Sequence, residues 1–223
     1  QPSPFHRRFC GWNAYVLGAL SLASLLTLGV LMGTWQKALL LLTLPGAWFC
    51  VIHPTTTDGP CMLLAWLSSL LMPSHPFFAV LLSCFAGFIH ERGPVFAAVY
   101  AMHPLPLVGL ACVGWWRKAR SADGDILVGL GLRDAIKAHK PYVDFLDWRV
   151  NLFSLRGLWL LVPYYGVSWR ALFAVAVTVG SRIIGTDACR FMFWAAPVLV
   201  AELPSDVPAW MVALHVVFFR RAI

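Results

Sequence analysis

The chain is expected to fold as an all-α, polytopic integral membrane helical bundle with eight or nine membrane segments, some short or re-entrant. Three observations predict this. Of its 223 residues 60% are hydrophobic and only 12% are charged, where a soluble globular domain carries about 45–50% and 25%. The mean hydropathy of +0.74 extends along the whole chain, with no extended polar block outside residues 117–149. Seventeen Lys and Arg stand against ten Asp and Glu, a net charge of +7, so the few charges are mostly basic and belong where water or phosphate reaches them. These figures exclude an ordinary water-soluble enzyme, a disordered chain and a fibrous repeat.

A helical span needs about 20 apolar residues, because backbone groups left unpaired in hydrocarbon cost several kcal/mol and a helix pairs them internally. Tyr15 to Met32 is a charge-free stretch that ends at Gly33-Thr34-Trp35, and Ala38 to Ile52 follows, kinked or shortened by Pro45. Cys61 to Met72 is short and bounded by Pro60 and Pro73; Phe77 to Ile89 is the fourth segment. Proline at such ends suits helix starts and stops. Val95 to Trp116 is long enough to cross, but Pro104 and Pro106 interrupt its hydrogen-bond ladder. Leu152–Val167, Ala171–Ile184, Phe191–Ala201 and Val207–Phe219 complete the series. The chain therefore divides into N-terminal membrane helices over 1–116, with polar tips at 53–60 and 90–94, a basic loop over 117–149, and four C-terminal membrane helices over 150–223. No cleavable signal peptide is expected, since further spans follow the first apolar run directly.

Lys and Arg in short loops mark the cytoplasmic side. The densest set is Arg117, Lys118, Arg120, Arg133, Lys137, Lys140 and Arg149; Arg220 and Arg221 lie four spans later and hence on the same face. If Val95–Trp116 crosses once, the two polar tips lie on the opposite face. If it is a hairpin broken at Pro104, they lie on the basic face, as Arg7 and Arg8 favour. On either count the tips lie together. Within 117–149, Leu127, Leu130, Ile136 and Leu146 interleave with Arg133, Lys137 and Lys140, a pattern expected of an interfacial helix facing anionic lipid or of a solvated connector.

Six scattered cysteines without a CxxC pair read as small buried hydrophobes, although a Cys50–Cys61 bridge across the first tip is conceivable. The seven histidines show no metal-ligand spacing, and no phosphate-binding glycine loop or nucleophile elbow is present. No cofactor is expected, a divalent cation being the one alternative.

Ionisable residues at membrane depth are costly and so carry the remaining signal. Asp58 stands in His53-Pro-Thr-Thr-Thr-Asp-Gly-Pro60, where it caps the next helix, serves chemistry, or does both. His90-Glu91-Arg92-Gly93-Pro94 forms a cluster at the junction of two segments, read either as a water-facing turn with a local ion pair or as a site. Asp187 and Arg190, three residues apart, share a helix face and neutralise one another unless Arg190 is free for a ligand.

An acidic tip, a Glu-Arg couple followed by Gly-Pro, and a later Gly185-x-Asp-x-x-Arg190 before Ala-Ala-Pro197 form an order that resembles bacterial polytopic glycosyltransferases of the C-type superfamily and polysaccharide polymerases using lipid-linked sugars. The resemblance covers residues 53–110 and 150–203. It departs from the family in two places: the couple is Glu91-Arg92 rather than Arg-Glu, and Gly33-Thr-Trp-Gln-Lys37 has no carboxylate where the family carries an acidic motif. The resemblance implies transfer of a sugar from a polyprenyl phosphate, with Asp58 or Glu91 as catalytic carboxylate, Arg92 and Arg190 as phosphate ligands, and His90 and Asp187 in support. Its implied partners are the bilayer, anionic lipid or polyprenyl phosphate, and other membrane subunits. The competing expectation is a non-catalytic scaffold or accessory subunit of a larger membrane complex, and a transporter ranks third. Nucleic acid is not an expected partner, because the basic residues are dispersed.

Overall fold

The computed structural model describes residues 4–52, 57–120, 154–155, 157–181 and 192–220, and they are helical or in turns. Eleven α-helices and one 3-10 turn occur among them: α1 (Pro4–Leu31), α2 (Trp35–Leu42), α3 (Pro45–Ile52), α4 (Asp58–Leu71), α5 (Pro76–Ile89), α6 (Arg92–Ala101), the 3-10 turn Leu105–Leu107, α7 (Val108–Arg120), α8 (Leu158–Tyr165), α9 (Trp169–Ser181), α10 (Ala196–Glu202) and α11 (Ala209–Arg220). The basic loop beyond Arg120, with Asp187 and Arg190, lies outside the described residues.

The all-helical class stands. Of the expected short or re-entrant membrane segments, none among the described residues is a helix long and apolar enough to cross a membrane. Local chemistry explains the breaks. Gly33, at a φ of +99°, turns the chain after α1, a conformation that a Cβ would strain. Thr34 then starts α2 by accepting from the Lys37 N–H at 3.4 Å. The second predicted segment splits at Thr43–Leu44, just ahead of Pro45, into α2 and α3.

The fifth segment, Val95–Trp116, also breaks. Met102 ends α6 in the left-handed region at a φ of +50°, and His103 donates back to the Ala98 carbonyl at 3.1 Å. This closes the helix in a Schellman-type turn, and Pro104 cannot continue it. The chain then reverses. α4 pairs Ser68 with Ala79 and Cys61 with Ala86, antiparallel to α5, but Cys61 with Gly93 and Trp66 with Tyr100, parallel to α6, so α6 runs back along α5; Ser83, Gly87 and Phe88 of α5 meet Gly109, Val113 and Trp116 of α7 in parallel order. Of the two readings of this segment, the helical hairpin broken near Pro104 is the one adopted. The Ser83 hydroxyl donates to the Pro106 carbonyl at 2.6 Å and pins its tip.

Helix contacts run through small residues. A Cβ built on Gly59 would stand 3.0 Å from the Ser21 backbone, and Gly18 and Gly29 sit as closely against Val51 and Ala38. Several buried hydroxyls bond to backbone carbonyls, as Ser68 does to Ala79 at 2.7 Å. The outer faces are large and apolar. On α5, Phe77, Leu81, Phe85 and Phe88 form an exposed stripe, while Ala79, Ser83, Ala86 and Gly87 face inwards. The core gathers Leu25, Leu28, Leu40, Leu41, Trp66 and Phe96 around Trp194 and Tyr100. Cys50 and Cys61 are not joined in a disulfide, so the conceivable bridge is absent.

Candidate functional site at the α4, α5 and α6 junction

Two polar tips 32 residues apart in sequence meet at one end of the bundle. α4 begins at Asp58, whose preceding residue Thr57 occupies the cap position without a side-chain cap bond. Asp58 is thus the first helical residue rather than the cap, and its carboxylate gains instead from the positive end of the helix dipole. It is wholly buried, at 0% exposure. α5 ends at His90, which leaves the helix in extended conformation and donates its backbone N–H to the Ala86 carbonyl. Glu91 is the cap position of α6, and Arg92 is its first residue.

The imidazole ties the tips together. His90 Nδ1 accepts the Arg92 backbone N–H at 3.2 Å. A neutral imidazole that accepts at Nδ1 carries its proton on Nε2, and Nε2 lies 3.9 Å from Asp58 Oδ1. The Cys61 thiol, one turn into α4, donates to the Ala86 carbonyl at 3.2 Å and approaches the His90 carbonyl at 3.7 Å. Thr57 Oγ1 reaches the Ile89 carbonyl at 3.4 Å. Gly93 permits this closeness: a Cβ there would fall 2.6 Å from Ala86 Cβ and 2.7 Å from Cys61 Sγ.

The four charged or titratable groups that the structure describes in the two tips differ in access. Asp58 is buried, His90 and Arg92 are half-buried, and Glu91 is exposed. Glu91 is therefore the exposed carboxylate of the pair, while Asp58 and His90 lie at the base of the 90–92 turn. The other two predicted residues, Asp187 and Arg190, lie outside the described residues. Among the described residues no group of three or more His, Cys, Asp or Glu could hold a metal ion.

Two features went unnoticed in the sequence. His90 leans on Trp194, ring centroids 6.2 Å apart, and Trp194 stacks on Phe96 at 4.9 Å. Tyr100 donates its hydroxyl to the Trp194 carbonyl at 2.7 Å and meets Trp66 edge-on at 5.5 Å. Arg170 then covers the Trp66 ring, 5.3 Å from its centroid. The rule that picks out charges at membrane depth could have selected Arg170, which follows Trp169 at a span end.

A groove of about 400 Å³ opens between α6, the 3-10 turn and α9, lined by Val95, Ala98, Met102, Leu107, Phe173 and Val177. Val95, Val99 and Met102 follow Arg92 at i+3, i+7 and i+10, which places the arginine at the head of the stripe that floors the groove. No protein-family model matches the chain, and neither a curated protein nor a solved structure matches it.

Proposed function

We propose that the chain is an integral, multi-pass membrane protein that holds a lipid phosphate, with the phosphate at Arg92 and the hydrocarbon chain along the α6 groove. The membrane assignment draws on an inverted surface. Phe77, Phe85, Tyr15 and Trp115 are more than half exposed, while Ser21, Ser68, Ser83 and Thr178 are buried. In water such a surface is an aggregation hazard; in lipid, where small residues let helices approach and hydroxyls bond across, it is the expected arrangement. Helices too short to cross singly do so in series, α2 with α3, their break enclosed by neighbouring helices. The sequence puts Arg7 and Arg8 early in α1 and Arg117, Lys118 and Arg120 late in α7, and since Lys and Arg mark the cytoplasmic side, the end that bears Asp58 and Arg92 is assigned to that side.

The single observation that carries the lipid reading is the shared stripe of α6. A cation at its head and an apolar groove beginning one turn away match a molecule that is anionic at one end and hydrocarbon beyond. From Arg92 to Met102 the helix rises about 15 Å, the length of about a dozen extended methylenes.

The reaction we propose is sugar transfer from a polyprenyl phosphate, the chemistry implied by the resemblance to C-type glycosyltransferases. The acceptor hydroxyl oxygen attacks the anomeric carbon, and the bond from that carbon to the phosphate oxygen breaks. Its electron pair leaves on the phosphate, where the planar fork of Arg92 stabilises the charge. The hydroxyl proton passes to the Glu91 carboxylate, the exposed one of the two. Asp58 and His90 act as positioning residues for the 90–92 turn.

Equilibrium binding of dodecyl phosphate to the detergent-purified chain tests the reading. Arg92→Ala is expected to weaken it about 10- to 100-fold, the worth of a charge-assisted hydrogen-bonded contact. Equal affinity in the variant would refute the assignment.

A further inference from the structure

Arg170 stands outside the site above, and its surroundings are built of donors. The residue is the second of α9 and lies half-buried with its guanidinium over the Trp66 ring at 5.3 Å. Its Nε is buried without a hydrogen-bond partner, and so is Nε1 of Trp66, a side chain only 4% exposed. Beyond Tyr100, Nε1 of Trp194 is buried and unbonded too, on a side chain at 0% exposure. Buried N–H groups are nearly always bonded, since each one left without an acceptor costs about 1–3 kcal/mol. Here the vacant groups are all donors, so what they lack is an acceptor. The nearby carboxylate of Glu202 acts on Arg170 electrostatically, but it is engaged by the Ser168 hydroxyl at 2.6 Å.

We propose that the Arg170 guanidinium and the Trp66 indole N–H form a second anion site, which takes the oxygens of a phosphate group. The guanidinium and the indole are in contact and each carries a buried N–H without an acceptor, and a planar guanidinium suits phosphate better than a point charge does. The desolvated aromatic surroundings strengthen each bond relative to water. The site is separate from Arg92: Trp66 lies eight residues beyond Asp58 along α4, about 12 Å down the helix axis. The site does not depend on the transferase reading.

The test uses the full chain in maltoside detergent, in the Arg92→Ala background so that the first site does not contribute. Equilibrium dialysis with radiolabelled inorganic phosphate and, separately, dodecyl phosphate is expected to show saturable binding of one equivalent. Arg170→Gln should weaken binding at least tenfold, Arg170→Lys should retain part of it, and Trp66→Phe should weaken it severalfold while keeping the ring. Tight binding of both probes assigns a phosphate-only subsite; a preference for dodecyl phosphate assigns a lipid headgroup. No saturable binding in the parent, meaning that water alone fills the donors, overturns the proposal. So does unchanged affinity in both Trp66→Phe and Arg170→Lys, which decide the matter if Arg170→Gln does not fold.

Discussion

Gly93→Val is expected to lower the stability of the chain by about 3 kcal/mol or more, the upper range for overpacking a filled contact. Already at the first carbon, the new side chain would stand 2.6 Å from Ala86 Cβ, 2.7 Å from Cys61 Sγ and 2.8 Å from the Ala86 carbonyl carbon. Two of these three atoms are a helix backbone carbon and the Cβ fixed to it, so neither can swing aside as a flexible side chain can. α6 must then move away from α4 and α5, which parts His90 from Asp58 and withdraws Arg92 from its turn. The midpoint of thermal unfolding in detergent, followed by intrinsic fluorescence, measures the effect. The valine at Gly114, where a Cβ meets nothing within 4 Å, is the control and should leave the midpoint close to that of the parent.

The second large effect is catalytic. Glu91→Gln should reduce sugar transfer from a polyprenyl phosphate by about 10²- to 10⁴-fold, the usual contribution of a general base. Binding of dodecyl phosphate should be unchanged, because Arg92 and the groove are intact. Glutamine keeps the shape and the exposed position of the side chain while removing its capacity to take a proton. Turnover measured at saturating lipid phosphate separates the two quantities. Undiminished turnover would remove Glu91 from the chemistry and pass the role to Asp58, despite its complete burial.

Much of the scaffold was readable because each helix leaves a physical signature. Pro73 ahead of α5 and the Gly33-Thr34 stop before α2 placed their boundaries within a few residues. The meeting of the tips at 58 and 90–92 was legible for the same reason: they close the two apolar runs that become α4 and α5 with α6. Four things were not. Thr43–Leu44 carries no break signal of its own, so the α2–α3 split was read as a kink at Pro45. The fifth segment allowed a crossing or a hairpin, and only the packing of Gly109 and Val113 on α5 chooses between them. Asp58 was expected to cap from outside the helix, but Thr57 holds that position and leaves the carboxylate inside, facing His90. Arg170 escaped notice because its partner, Trp66, is a hundred residues away in sequence, and periodicity within a helix says nothing about such pairs.

The most direct test of the lipid-phosphate site is photo-crosslinking with a dodecyl phosphate that carries a diazirine at the end of its chain, mapped by mass spectrometry of the chain reconstituted in vesicles. A headgroup held by Arg92 with its tail in the groove predicts label concentrated on Ala98, Met102, Phe173 and Val177, and lost in Arg92→Ala. Label spread over the outer stripe of Phe77, Phe85 and Phe88, and indifferent to Arg92, would contradict it.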